Sequence, residues 1–190
     1  MKLLESRVRA EGHALDERVL LVDSFLNHQV DPELMLEIGK EFARLFADEA
    51  VTRVVTVESS GIAPAAFTAL YMGLPLVVLK KQTSRIMTGD LIQTTVRSFT
   101  KGTQYELTAK REFLIEGENV LLIDDFLASG EAAFGVLNLA RQAGVNVGGI
   151  GIVIEKAFQP GRKRLEEAGI DVYSLARVKA MSENAIELMD

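Results

Sequence analysis

The apolar positions of this chain follow two alternating patterns. In "DPELMLEIGKEFARLFA" (31–47), Leu34, Met35, Ile38, Phe42, Leu45 and Phe46 recur at three- and four-residue spacing, which predicts an amphipathic helix with one buried face. Asp31 supplies an acceptor ahead of the first turn, Pro32 suits the first helical position, and Glu33 sits near the positive helix end. "RVVTVE" (53–58) is instead a short unbroken apolar run, the pattern of a buried strand. The alternation then repeats. Helix "APAAFTALYMG" and strand "LPLVVLK" precede a polar middle; strand "NVLLIDD", helix "EAAFGVLNLARQAG", strand "VGGIGIVIE", helix "GRKRLEEAG" and strand "DVYSLARV" follow it. Gly73, Gly144 and Gly169 stand where left-handed helix caps are expected. The pattern predicts an α/β fold, a doubly wound, mainly parallel sheet with helices on both faces.

Two regions break the rhythm. Residues 82–112 are rich in threonine and partly alternate in "TTVRSFT", which predicts a β-ribbon or a mobile flap. The first 30 residues show no sheet strand and are expected to cover one end of the sheet. At 190 residues, without linker, repeat or low-complexity segment, the chain is expected to form a single domain over 1–190.

Composition narrows the function classes. No apolar run reaches the roughly 18 residues of a membrane span. The opening "MKLLESRVRAEGH" mixes both charge signs too early for a secretory signal. Cysteine is absent, which excludes disulfides and thiolate metal sites and fits the cytoplasm. With only His13 and His28, an imidazole zinc site is not expected. A net charge of −6 argues against a general nucleic-acid binder, so small molecules are the expected partners.

The chemistry concentrates in "VLLIDDFLASGEAA" (120–133), where four apolar residues run into Asp124 and Asp125 and then into a turn of small residues. Ligands of open α/β sheets bind beyond the carboxyl ends of the strands, so the two acids reach the binding crevice. The Ala128-Ser129-Gly130 turn lets backbone N–H groups surround an anion, and the next helix adds its positive end. Carboxylates just upstream suit ribose hydroxyls or a hydrated magnesium ion. The pattern fits a sugar phosphate; on spacing alone it also describes an ordinary strand-to-helix turn with an acidic first turn. Neither GxxxxGK[ST] nor GxGxxG occurs.

The stretch resembles the phosphoribosyl pyrophosphate (PRPP) signature of the type I phosphoribosyltransferases. "VDSFLNHQVDP", "VESSGIAPA", "SFTKGT" and "GIGIVIEKAFQPGR" extend the resemblance over nearly the whole chain, to the xanthine-using members of bacterial purine salvage. The resemblance implies that xanthine and PRPP are converted to xanthosine 5′-monophosphate (XMP) and pyrophosphate by a cytoplasmic homodimer. It implies Mg2+ that arrives with PRPP, with no direct metal ligand from the protein. Ala128, Ser129, Gly130, Glu131 and Ala132 correspond to the loop that cradles the 5-phosphate. Asp124 and Asp125 correspond to the acidic pair at the ribose, and Leu20, Asn27 and Lys156 to the contacts of the xanthine ring. Glu58, Ser59, Ser60 and Gly61 stand at the pyrophosphate loop, where relatives use a strained Glu58–Ser59 peptide, and 82–112 at the catalytic flap.

Two departures from related enzymes matter. Ala128 stands where the hypoxanthine-guanine branch has an aspartate, which removes a general base. Ser60 stands where adenine enzymes often carry arginine, so a cation for the leaving pyrophosphate must come from Lys80, Lys81, Arg97 or Lys101, or from a partner subunit. His28 reads as a turn residue and "GRKRLEE" (161–167) as a solvated helix face. The rival reading is a PRPP-sensing regulator on the same fold. A DNA-binding version has no room for its extra domain before the sheet begins, and an RNA-binding version would need a basic face.

Overall fold

A computed structural model describes residues 1–81, 88–97 and 104–189. The chain runs α1 (Lys2–Glu11), β1 (His13–Ala14), β2 (Leu20–Leu21), a π-helical turn (Asp23–Asn27), α2 (Pro32–Leu45), β3 (Arg53–Val57), α3 (Ile62–Met72) and β4 (Leu76–Leu79). It continues through β5 (Leu91–Arg97), β6 (Gln104–Lys110), β7 (Asn119–Leu127), α4 (Glu131–Ala143), β8 (Asn146–Lys156), α5 (Gly161–Glu167), β9 (Val172–Ser182) and β10 (Ala185–Leu188). Asp31 caps α2 as expected, accepting from the N–H groups of Glu33 and Leu34.

Six strands form one sheet in the order β10-β9-β8-β7-β3-β4. Every pairing is parallel except β9–β10, where the chain turns back through Asn184 at φ 60°. The sheet is buried on both faces, as the unbroken apolar runs require. Leu121 and Ile123 of β7 pack with α1, α2 and α3, while Val120 and Leu122 face α4 and the β5–β6 ribbon. The central strands β3, β7, β8 and β9 therefore feed two cores.

The expected strands and helices all appear. β10 and the short β1–β2 pair were not anticipated. The N-terminal segment does cover the sheet: the Met1 ammonium donates to the Leu175 carbonyl of β9, and Leu4 and Val8 are fully buried. Of the 82–112 excursion, residues 91–97 and 104–110 pair antiparallel as the ribbon. Ile92, Val96, Leu107 and Ala109 join the core under α4. Residues 82–87 and 98–103, and with them Lys101 and "SFTKGT", lie outside the described residues. No helix among those described is long and apolar enough to cross a membrane.

Candidate active site

The sheet order reverses between β3 and β7. After β3 the chain moves to β4 on one side, whereas after β7 it builds β8 and β9 on the other. Such a switch point opens a crevice beyond the strand ends, because successive connections depart to opposite sides. β3 delivers Glu58–Gly61 to this crevice and β7 delivers Asp124 and Asp125. The two segments line one cavity of about 230 Å3, together with Lys81 and Phe126. The Glu58–Ser59 peptide is cis. Glu58 is held by the Lys81 N–H at 2.6 Å and the Lys80 ammonium at 3.2 Å.

The two acids differ in environment. Asp124 is 9% exposed and Asp125 more open. Burial, then the adjacent Asp125 charge, pushes the Asp124 carboxyl well above the usual range, opposed by the Asp125 N–H (3.0 Å) and by Lys81. Gly61 leaves Asp124 its space: a Cβ there would lie 2.8 Å from Oδ1 and 2.4 Å from Thr56 Oγ1.

Residues 128–130 cross from β7 to the start of α4, and a cavity of about 180 Å3 lies against them, reached also by Arg97 and Tyr105 of the ribbon. Gly130 has φ 87°, a conformation in which a Cβ is strained. Ser129 is buried, and Glu131 begins the 13-residue α4. Among the described residues the Ser129 and Gly130 N–H groups make no hydrogen bond within the chain, which leaves them free for an anion.

The third part of the crevice gathers Asn27 and Lys156. The Asn27 amide donates to Asp125 Oδ2 at 3.2 Å and to Ser60 Oγ at 3.4 Å. Lys156 ends β8, nearly buried; its ammonium donates to the Arg18 carbonyl and sits 5.3 Å from the centre of the Phe126 ring. Burial lowers its pKa, against the charges of Asp16 and Asp125. Leu20 is 6% exposed and packed into the core, so it presents almost no free face. A larger cavity, about 760 Å3, opens beside this region between Arg18, Val19, Ala128, Phe158 and Met181.

The structure thus brings together the acids, the small-residue loop, the 58–61 loop, Asn27 and Lys156. It also places Lys81 at both smaller cavities and Arg97 at one. One reading needs correction. The basic face of "GRKRLEE" is not simply solvated. Arg162 forks onto the buried Glu155 carboxylate at 2.6–3.1 Å and reaches Ser174, while Arg177 approaches Glu155 from β9. Arg164 donates to the Ser129 carbonyl at 2.5 Å and to Glu131 at 2.6 Å. Only Lys163 of the three is largely exposed. The missed signal was Glu155 at the end of an apolar strand, which demands a cation nearby.

Comparison with known proteins agrees with this geometry. A phosphoribosyl transferase domain model matches residues 31–174. The chain is 58% identical over 189 residues to xanthine phosphoribosyltransferase 1 of Clostridium botulinum, with all of both chains covered. It is 54% identical to xanthine phosphoribosyltransferase of Clostridium acetobutylicum, again with both fully covered, and 47% to that of Stutzerimonas stutzeri, likewise fully covered. Among solved structures, adenine phosphoribosyltransferase from Rhodothermus marinus superposes with a TM-score of 0.75 over 93% of this chain and 99% of that one. At 21% identity, that likeness speaks for the fold alone. The crevice at the β3–β7 switch point and the full-length likeness lead to one statement: the chain belongs to the phosphoribosyltransferases, in the xanthine phosphoribosyltransferase family.

Proposed function

We propose that the protein transfers the phosphoribosyl group of PRPP to xanthine, giving XMP and pyrophosphate. The observation that carries this reading is the Asn27 amide bonded to Asp125 with the Lys156 ammonium over the ring of the adjacent Phe126, which would set base-reading donors beside a ribose-reading acid. The 5-phosphate would take the unpaired N–H groups of the 128–132 loop at the start of α4. The ribose hydroxyls would face Asp124 and Asp125. Pyrophosphate would lie along Ser59 to Gly61, with Lys81 and Arg97 supplying positive charge where negative charge develops.

Mg2+ would arrive bound to PRPP. A hard cation that keeps several waters suits substrate oxygens beside carboxylates, and Asp124 with the more open Asp125 would face its water shell without ligating the ion directly. Bound there, it would neutralise the diphosphate as the bond to ribose breaks. The residues of the chain do the rest by holding ribose and base in line, so that positioning and electrostatic stabilisation carry the rate. Phe126, between the cavities and under Lys156, would offer its ring face to the purine. Lys156 donates to a purine oxygen and favours the anion that xanthine forms near neutral pH, and the Asn27 amide donates to the C2 carbonyl. Leu20 contributes apolar backing from the core. The ribbon would act as the fixed base of a cover over PRPP, and a cytoplasmic homodimer completes the proposal.

PRPP-dependent nucleotide formation, assayed against xanthine, guanine, hypoxanthine and adenine, tests the whole reading. Xanthine should give the highest kcat/KM. A preference for adenine, or PRPP binding without turnover of any base, would refute it.

A further inference from the structure

The loop assigned to the 5-phosphate is gripped from behind by a part of the chain that has no place in the reaction as described. The Gly161 N–H donates to the Ala128 carbonyl at 3.0 Å, and Arg164 takes the next carbonyl, that of Ser129. A planar trans peptide points its C=O and N–H in opposite directions. Fixing the Ala128 and Ser129 carbonyls toward α5 therefore turns the N–H groups of Ser129 and Gly130 away from α5. Among the described residues, neither of these two donors has a partner.

The grip is close on both sides. A Cβ on Gly161 would come within 2.4 Å of the Ala128 oxygen and 3.1 Å of the Gly130 nitrogen, so only glycine admits the loop this near. The Arg164 guanidinium also pairs with Glu131 at 2.6 Å and lies 4.7 Å from the centre of the Phe134 ring. It thereby ties the loop to the first turn of α4. The half-exposed ion pair alone would contribute little; the consequence lies in where the carbonyls point.

We infer that Arg164, backed by Gly161, is a positioning residue that holds the 128–132 loop with its N–H groups facing the phosphate. The inference rests on the proposed role of that loop, so its test separates the two. XMP and xanthosine differ only in the 5′-phosphate. Calorimetric titration of both into wild type, Arg164→Met and Arg164→Lys, with steady-state kinetics at varied PRPP and xanthine, isolates the phosphate contribution.

Arg164→Met should weaken XMP and raise KM for PRPP about 10- to 100-fold, as loss of charge-assisted hydrogen bonds does. Xanthosine affinity and KM for xanthine should stay within about twofold, and Arg164→Lys should recover part of the loss. Equal weakening of XMP and xanthosine would mark a merely structural residue and overturn the inference. So would unchanged XMP affinity in Arg164→Met or, if that variant does not fold, in Arg164→Lys. A wild type that binds XMP no tighter than xanthosine would instead sink the loop assignment itself.

Discussion

The side-chain amide of Asn27 lies 3.2 Å from Oδ2 of Asp125, joining the N-terminal segment to the end of β7. The residue proposed to read the base and one proposed to face the ribose therefore share a hydrogen bond. Asn27→Ala should lower kcat/KM for xanthine about 10-fold and for guanine much less, since it removes a donor suited to the C2 carbonyl. Asn27→Asp should do more, because a carboxylate would then face Asp125 and raise KM for PRPP as well. Kinetics with both bases at varied PRPP would check this; an unchanged xanthine-to-guanine ratio in Asn27→Ala would remove Asn27 from base reading.

In the proposed site, Asp124 sets stability against function. Its raised pKa, caused first by burial and then by Asp125, means that the ionised form destabilises the folded chain. That penalty is absent below the ordinary aspartate pKa and complete above the raised native value. Asp124→Asn keeps an acceptor for the Asp125 N–H and removes the charge. It should melt higher than wild type at pH 7, with the difference shrinking as the pH falls, while turnover drops at least about 100-fold. Thermal melts across pH, beside assays, read both.

Lys156 titrates from the other side. Burial holds its pKa below the ordinary lysine value of 10.5, so its charge is lost earlier on the alkaline side than that of an exposed lysine. The ratio of wild-type to Lys156→Met kcat/KM for xanthine should be about 10 or more near neutrality and fall as the pH rises through the lowered value. The sign for stability follows. Burial disfavours the charged form in the folded chain, so Lys156→Met should be the more stable at neutral pH and lose that advantage as the pH rises through the lowered value. A ratio that does not change with pH would deny the lysine charge a part in base binding.

Gly61 should tolerate no side chain. The methyl group of Gly61→Ala would press on Thr56 Oγ1 and Asp124 Oδ1, both fixed in a buried strand end. Overpacking of this kind costs about 1–3 kcal/mol. The variant should show a lower melting temperature and weaker pyrophosphate inhibition, measured by product inhibition at fixed PRPP.

The framework was legible because its signals were long and periodic. α2 carried six apolar residues on one face and a capping aspartate, and β7 an apolar run that could only be buried. The acidic pair and glycine turn were visible for the same reason, as breaks in a clear pattern. β10 was missed because "AIEL" is too short to show a period and its pairing depends on a turn at Asn184. Arg164 was missed for a different reason. Charges spaced along a helix look alike whether they meet water or the back of a loop, and only the fold decides which.

Asn27 and the residues proposed to hold PRPP ride on parts of the chain with unequal freedom to change, whereas Lys156 is fixed at the end of a sheet strand. The PRPP loops sit between strands of the six-stranded sheet, where an insertion would disturb two cores at once. Asn27 ends a π-helical turn in a segment that adds no strand to that sheet. Descendants of one ancestor could recast the segment and shift which purine they accept while inheriting the sugar-phosphate half intact. Specificity in such a lineage would diversify from the N-terminus inward.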